Sequence, residues 1–151
     1  MLLALALASA PLRFDPLAFF AGRSEGVGRL RIMLHRGHAV HVEGEGRPQP
    51  DGSLVLDQTV AEAGKAVTHR RWRLRRIAPG RYTGTLTDAR GPVTVETRGD
   101  RLHITYLTTG KIRIEQWLTL APDGRSAANR LTARRFGVTV ARLDETIRRR
   151  D

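Results

Sequence analysis

The stretch "HRRWRLRRIAPGRYTGTLTD", residues 69–88, decides how the rest of the chain is read. Two runs of alternating character flank Ala78-Pro79-Gly80, where proline fixes one φ and glycine accepts a positive one. In the first run Arg70, Trp72, Leu74 and Arg76 fall on one side, and His69, Arg71, Arg73 and Arg75 on the other. In the second, Tyr82, Gly84, Leu86 and Asp88 alternate with Thr83, Thr85 and Thr87. A period of two belongs to an extended strand with one wet and one dry face. The segment is therefore predicted to be an antiparallel hairpin, with Arg71, Arg73 and Arg75 as its solvent stripe.

The same grammar extends in both directions. Runs rich in Val, Ile, Thr and Tyr are predicted as strands over 27–34, 38–45, 53–61, 66–77, 81–88, 92–98, 101–108, 111–120, 126–135 and 138–148. Turn signals at 49–52, 78–80, 98–100, 108–110 and 122–124 separate several of them. Only "DPLAFF" (15–20) carries a helix signature, Asp15 as N-cap and Pro16 at the first helical position. Consecutive strands joined by short turns form a meander, and closing it into a barrel removes its exposed edges. The expected fold is all-β: a single antiparallel meander β-barrel of about nine or ten strands, with a short N-terminal helix. Residues 1–12 read as a signal-like segment, from the apolar run Leu2–Ala8 and the small-x-small Ala8-Ser9-Ala10, and residues 13–151 as one barrel domain.

The chain has 151 residues, 40% apolar and 27% charged, which is enough to bury a core and is not the composition of a disordered chain. Its formal net charge is +11, carried by 24 Arg and 2 Lys, so an anionic partner is expected, either nucleic acid or an acidic membrane surface. Aromatics are only 5% of the chain, and Trp72 is predicted inside, away from any base, which disfavours nucleic acid. There is no cysteine, which excludes disulfides, zinc–thiolate sites, cysteine nucleophiles and a cysteine-linked lipid anchor. The four serines lack the context of a nucleophile, and "GEGR" (44–47) lacks the Lys-Ser/Thr end of a phosphate loop. His35, His38 and His41 have no fixed ligands beside them and read as solvent-facing, so no metal and no cofactor is expected.

Alternation also finds polar groups on the dry faces. Gln58 travels with Leu54, Leu56 and Val60; Gln116 with Ile112, Ile114, Leu118 and Leu120; Tyr106 with Leu102 and Ile104. With Arg70, Asp88 and Asn129 they form the set of inward polar residues. An inward guanidinium needs a partner, because an unpaired one is costly to desolvate. Asp88, on the next strand, is the expected partner of Arg70. Such a set is either an internal network that fixes strand register or the polar part of an apolar-walled ligand pocket.

The same residues carry a family likeness. "FFAGRSEGVG" (19–28), Arg70 and Trp72 in an R-x-W, and Tyr82, Gly84, Asp88 and Gly91 in "YTGTLTDARGPV" follow one another in family order. So do Gly99 and Tyr106, "QWLTL" (116–120), and "NRLTARRFGVTV" (129–140). Over roughly residues 18–148 the chain resembles the DUF3833 family, bacterial lipoproteins of unknown function. It departs from the family in having Gln58 and Gln116 at two positions that are usually acidic, Gly99-Asp100-Arg101 for a G-N-A run, and no anchoring cysteine. A carboxylate pair, if relatives use one, is missing here. The resemblance implies a lipocalin-like (calycin-like) barrel with no established reaction and a link to membrane fatty-acid modification.

From these readings the expected function is the binding of a lipid or other hydrophobic small molecule at or near a membrane. The candidate ligand-binding residues are Gln58, Arg70, Trp72, Tyr82, Asp88, Tyr106, Gln116 and Asn129. The alternatives are an accessory protein with a filled barrel, or an enzyme acting on a fatty-acyl substrate; catalysis is the less favoured. The expected location is periplasmic or membrane-associated, with the cytoplasm as alternative.

Overall fold

The computed structural model describes residues 10–151. The signal-like reading rests mainly on residues 1–9, which lie outside that range. One helical turn, α1 (Pro16–Phe19), precedes β1 (Gly22–Ile32), β2 (His38–Pro48), β3 (Leu54–Glu62), β4 (Thr68–Ala78) and β5 (Arg81–Leu86). Then follow β6 (Ala89–Arg98), β7 (Arg101–Thr108), β8 (Arg113–Leu120), β9 (Ser126–Arg135) and β10 (Val138–Arg149). Each strand pairs antiparallel with its neighbours in sequence, and β1 closes on β10 with Val27 opposite Thr146. The result is the predicted meander barrel, closed with ten strands.

Among the strand boundaries that differ from the sequence reading, two bear on the site. β1 starts at Gly22, five residues before the predicted Val27, because Gly22, Gly26 and Gly28 lie in the ladder opposite β2 or β10. β5 stops at Leu86, and Thr87 and Asp88 form the turn into β6.

The two ends of the barrel are unlike. At the end where β1 begins, the N-terminal segment forms a plug. Asp15 caps α1 by accepting from the Leu17 and Ala18 amides at 3.0 and 3.3 Å. The Phe14 amide donates to the Gly99 carbonyl at 2.8 Å, and the Thr97 hydroxyl donates to the Phe14 carbonyl at 2.8 Å, tying the plug to β6 and the turn that follows it. Phe14, Phe19 and Phe20 pack in series, the first pair tilted and the second edge-to-face, with ring centroids 5.1 and 4.9 Å apart, over a core that includes Leu54, Leu102, Leu118 and Ile147. Gly46 allows this approach, since a Cβ there would collide with the Phe20 carbonyl oxygen.

The opposite end carries only hairpin loops: 33–37, 63–67, 87–88, 109–112 and 136–137. Inward-facing residues become more exposed toward it. Along β3, Leu54 and Leu56 are buried, whereas Gln58, Val60 and Glu62 are half-buried. Along β10 the same holds from Ile147 to Glu145, Leu143 and Ala141. This gradient marks a barrel plugged at one end and open at the other.

Candidate functional site: the lumen and its polar groups

The lumen holds a cavity of about 310 Å³ running from Phe20 at the plug to Leu30, Glu62 and Arg70 near the mouth. Its walls are mainly apolar, including Leu54, Leu56, Ile104, Leu118, Leu131 and Ile147. The barrel is therefore not filled by its own side chains, which removes the support for a packed accessory barrel.

Two polar groups interrupt the apolar wall. On β3 and β4, Gln58 Oε1 accepts from both Arg70 Nε (3.0 Å) and Trp72 Nε1 (2.8 Å). These residues meet because Gln58 lies opposite Arg70, and Leu56 opposite Trp72, in the β3–β4 register. Across β8, β9 and β10, Asn129 Nδ2 donates to Gln116 Oε1 and to Glu145 Oε1, both at 3.0 Å. Trp72 and Tyr106 join the two groups through an edge-to-face contact of 5.8 Å. Burial pushes the Tyr106 phenol above its usual pKa range, against the opposing pull of the Arg70 charge and a bond from Gln116.

Six of the eight predicted residues, Gln58, Arg70, Trp72, Tyr106, Gln116 and Asn129, line this cavity. The other two do not. Asp88 is exposed in the β5–β6 turn, so the expected Arg70–Asp88 pair does not form. The register Trp72–Leu86 would put Asp88 opposite Arg70, but β5 leaves the ladder two pairs too early. Tyr82 is buried at the plugged end, in the core with Phe14 and Phe19. Desolvation there, with Asp15 next in effect, raises its pKa. It packs the base of the barrel and does not line the cavity.

Glu145 was missed, although it is spaced evenly with Leu143 and Ile147 and so shares their face. β1 makes room for it, because a Cβ on Gly26 or Gly28 would run into the Glu145 side chain. Ser24, also buried and inward, extends the same polar wall.

Two features of the lumen are chemically unfinished. Among the described residues, Arg70 has no carboxylate within ion-pair distance and meets only the neutral Gln58. Glu62, the acid nearest the mouth among the cavity-lining residues, is bonded instead by His38 at 2.6 Å and Lys65 at 3.3 Å. The second feature is Asn129 Oδ1, buried with no hydrogen-bond partner, on a residue only 5% exposed.

On the outer face of the barrel, several cations and histidines are held by carboxylates. Asp57 is clasped by Arg71 and Arg47, which hold its carboxyl well below the usual range. His41 bonds Glu25, and His103 bonds Glu115. Trp117 is stacked by His103 at 4.1 Å and covered by Arg101 at 4.2 Å, so its faces are not free for a nucleobase.

Comparison with known proteins places this architecture. A family model described as a protein of unknown function, DUF3833, matches residues 7–149. Among curated proteins, none matches the sequence. The fold is shared with an S-type phycobiliprotein lyase from Guillardia theta, at 6% identity and a TM-score of 0.67, over 89% of this chain and 90% of that one. It is shared also with the M. tuberculosis protein Rv2717c, at 16% identity and a TM-score of 0.65, over 91% and 99% of the two chains. A DUF3598-family protein of unknown function from Nostoc punctiforme is similar at 12% identity and a TM-score of 0.68 over 96% of this chain, which spans 53% of that one. At these identities the likeness is one of fold.

Proposed function

We propose that this chain, which belongs to the DUF3833 family, holds an amphipathic anion in its lumen: an apolar lipid-like body among the aliphatic walls and an acid group at Arg70. The observation that carries this reading is the Arg70 cation, aimed into an apolar cavity with only a neutral amide beside it. A guanidinium in that position has donors left over from its one bond to Gln58, and a carboxylate is the geometry they match. Phe20 and Leu54 toward the plug would receive the apolar end. A volume of about 310 Å³ is at the small end of the range for small-molecule pockets, so a single slender ligand is expected. Ligands of this kind partition into bilayers, which makes a membrane the natural place to meet one.

The test compares the fluorescent fatty acid cis-parinaric acid with its uncharged methyl ester. The acid should bind the wild-type chain more tightly than the ester. Gln58→Glu puts a carboxylate against Arg70 and should weaken the acid by roughly tenfold or more, with little change for the ester. Equal binding of acid and ester, or no effect of Gln58→Glu on the acid, would overturn the reading.

A further inference from the structure

The loops at the open end carry large apolar side chains that nothing covers. Leu34, in the β1–β2 loop, is 95% exposed, and Phe136, in the β9–β10 turn, is 88% exposed. Met33, Val67 and Val138 stand exposed on the same rim. Scattered single apolar residues are ordinary on a protein surface, but several on one rim are not.

The backbone supplies a second, independent observation. Among the described residues, three that are not glycine have positive φ: Leu34 (66°), Lys111 (62°) and Phe136 (52°). All three sit on hairpin loops of the open end. A left-handed conformation favours Gly, Asn or Asp, and Phe136-Gly137 occupies the two-residue turn where Asn-Gly would be the usual choice. Leu34 and Phe136 thus disfavour the local backbone while burying almost nothing in return. A departure from local preference without a packing gain points to function.

The rim is also cationic. Arg31, Arg36, Lys111, Arg113, Arg135 and Arg142 lie in or beside these loops, and none forms an ion pair among the described residues. The Arg135 guanidinium stands 5.4 Å above the Phe136 ring, so the charge and the apolar tip are presented together. Of the acids at this end, Glu62 is already bonded by His38 and Lys65, which leaves Asp88 as an exposed one.

We infer that the open rim is a membrane-docking surface, in which Leu34 and Phe136 enter the interface of an anionic bilayer and the surrounding arginines meet its headgroups. The barrel mouth then faces the bilayer, and Arg70 lies just inside it. This deepens the ligand reading by naming the surface from which a ligand would be drawn. It stands on the rim alone, so the two can fail separately.

The experiment is co-sedimentation of the full chain with phosphatidylcholine vesicles, with and without phosphatidylglycerol. It compares the wild type with a Leu34→Asn/Phe136→Asn double variant. Asparagine accepts positive φ, so the variant loses apolar surface without strain and should melt at the same temperature or higher. The wild type is expected to prefer the anionic vesicles and to release as salt rises. The variant should bind those vesicles about tenfold more weakly, with unchanged affinity for cis-parinaric acid. Undiminished vesicle binding by the folded variant, or none by the wild type, would overturn the inference. So would a wild-type dimer that the variant converts to monomer, since a second copy would then cover the rim. Loss of cis-parinaric acid binding with vesicle binding intact would count against the cavity reading alone.

Discussion

Gln58 does two jobs with one oxygen: it satisfies the Trp72 indole N–H and positions the Arg70 guanidinium without neutralising it. Replacing it separates the two roles. Gln58→Leu leaves both donors without a partner in a half-buried site and is expected to cost about 1–3 kcal/mol, read from the urea midpoint. Gln58→Glu keeps an acceptor for both and should be at least as stable as the wild type while losing affinity for an acid ligand. If Gln58→Leu unfolds no more readily than wild type, these bonds are not holding the wall. Most of this wall was legible, because Gln58, Arg70, Gln116 and Asn129 are each polar residues on an otherwise apolar face. Asp88 misled for a physical reason. Alternation assigns a face only while the strand lasts, and nothing in "TLTDARG" marks Leu86 as its last residue.

At the scale of elements, α1 is the piece on which the asymmetry of the barrel depends. A single turn cannot stand alone, and it persists because Asp15 caps it and three phenylalanines bury against the strands. Asp15→Ala should therefore lower stability by about 1 kcal/mol. Gly46→Ala should lower it more, by about 1–3 kcal/mol, because its methyl meets the Phe20 carbonyl and pushes the plug outward. Both effects are measurable by thermal denaturation, and a Gly46→Ala protein as stable as wild type would show that the plug is loosely seated. The helix was readable from Asp15-Pro16 alone. The start of β1 was not, since its glycines suit a loop by local preference and a strand only once Glu145 and Asp151 are known to crowd them.

Across the whole molecule, the formal charge of +11 includes both cations clasped by carboxylates and cations left to solvent. On the barrel wall some cations are paired, Arg71 and Arg47 on Asp57, Arg150 and His41 on Glu25, His103 and Arg134 on Glu115, while others such as Arg73 and Arg75 form no ion pair among the described residues. Side-chain bonds from Arg150 and His41 lower the Glu25 pKa, and those from His103 and Arg134 lower that of Glu115, in each case from 4.5. A depressed carboxylate stabilises the fold above its unfolded pKa, and that stabilisation is lost as pH falls through the folded one. Stability is thus expected to hold from neutral pH to about pH 5 and to decline below it, as mutual repulsion among the unpaired cations grows. Urea midpoints taken as a function of pH will show this, and a midpoint that rises on acidification would contradict it. The barrel as a whole was visible in the sequence because ten alternating runs allow few other folds. Which end is open was not, because that depends on where the plug packs.

The central claim is that an acid group sits against the Arg70 charge inside the lumen. The most direct measurement is the ¹³C signal of carboxyl-labelled decanoate bound to the wild-type chain, followed as pH is lowered. A neighbouring guanidinium favours the ionised acid, so the bound carboxyl should titrate below the free one. That depression should vanish in Gln58→Glu, where the cation is already neutralised. A bound signal that titrates at or above the free acid, or no bound signal at all, would contradict the account.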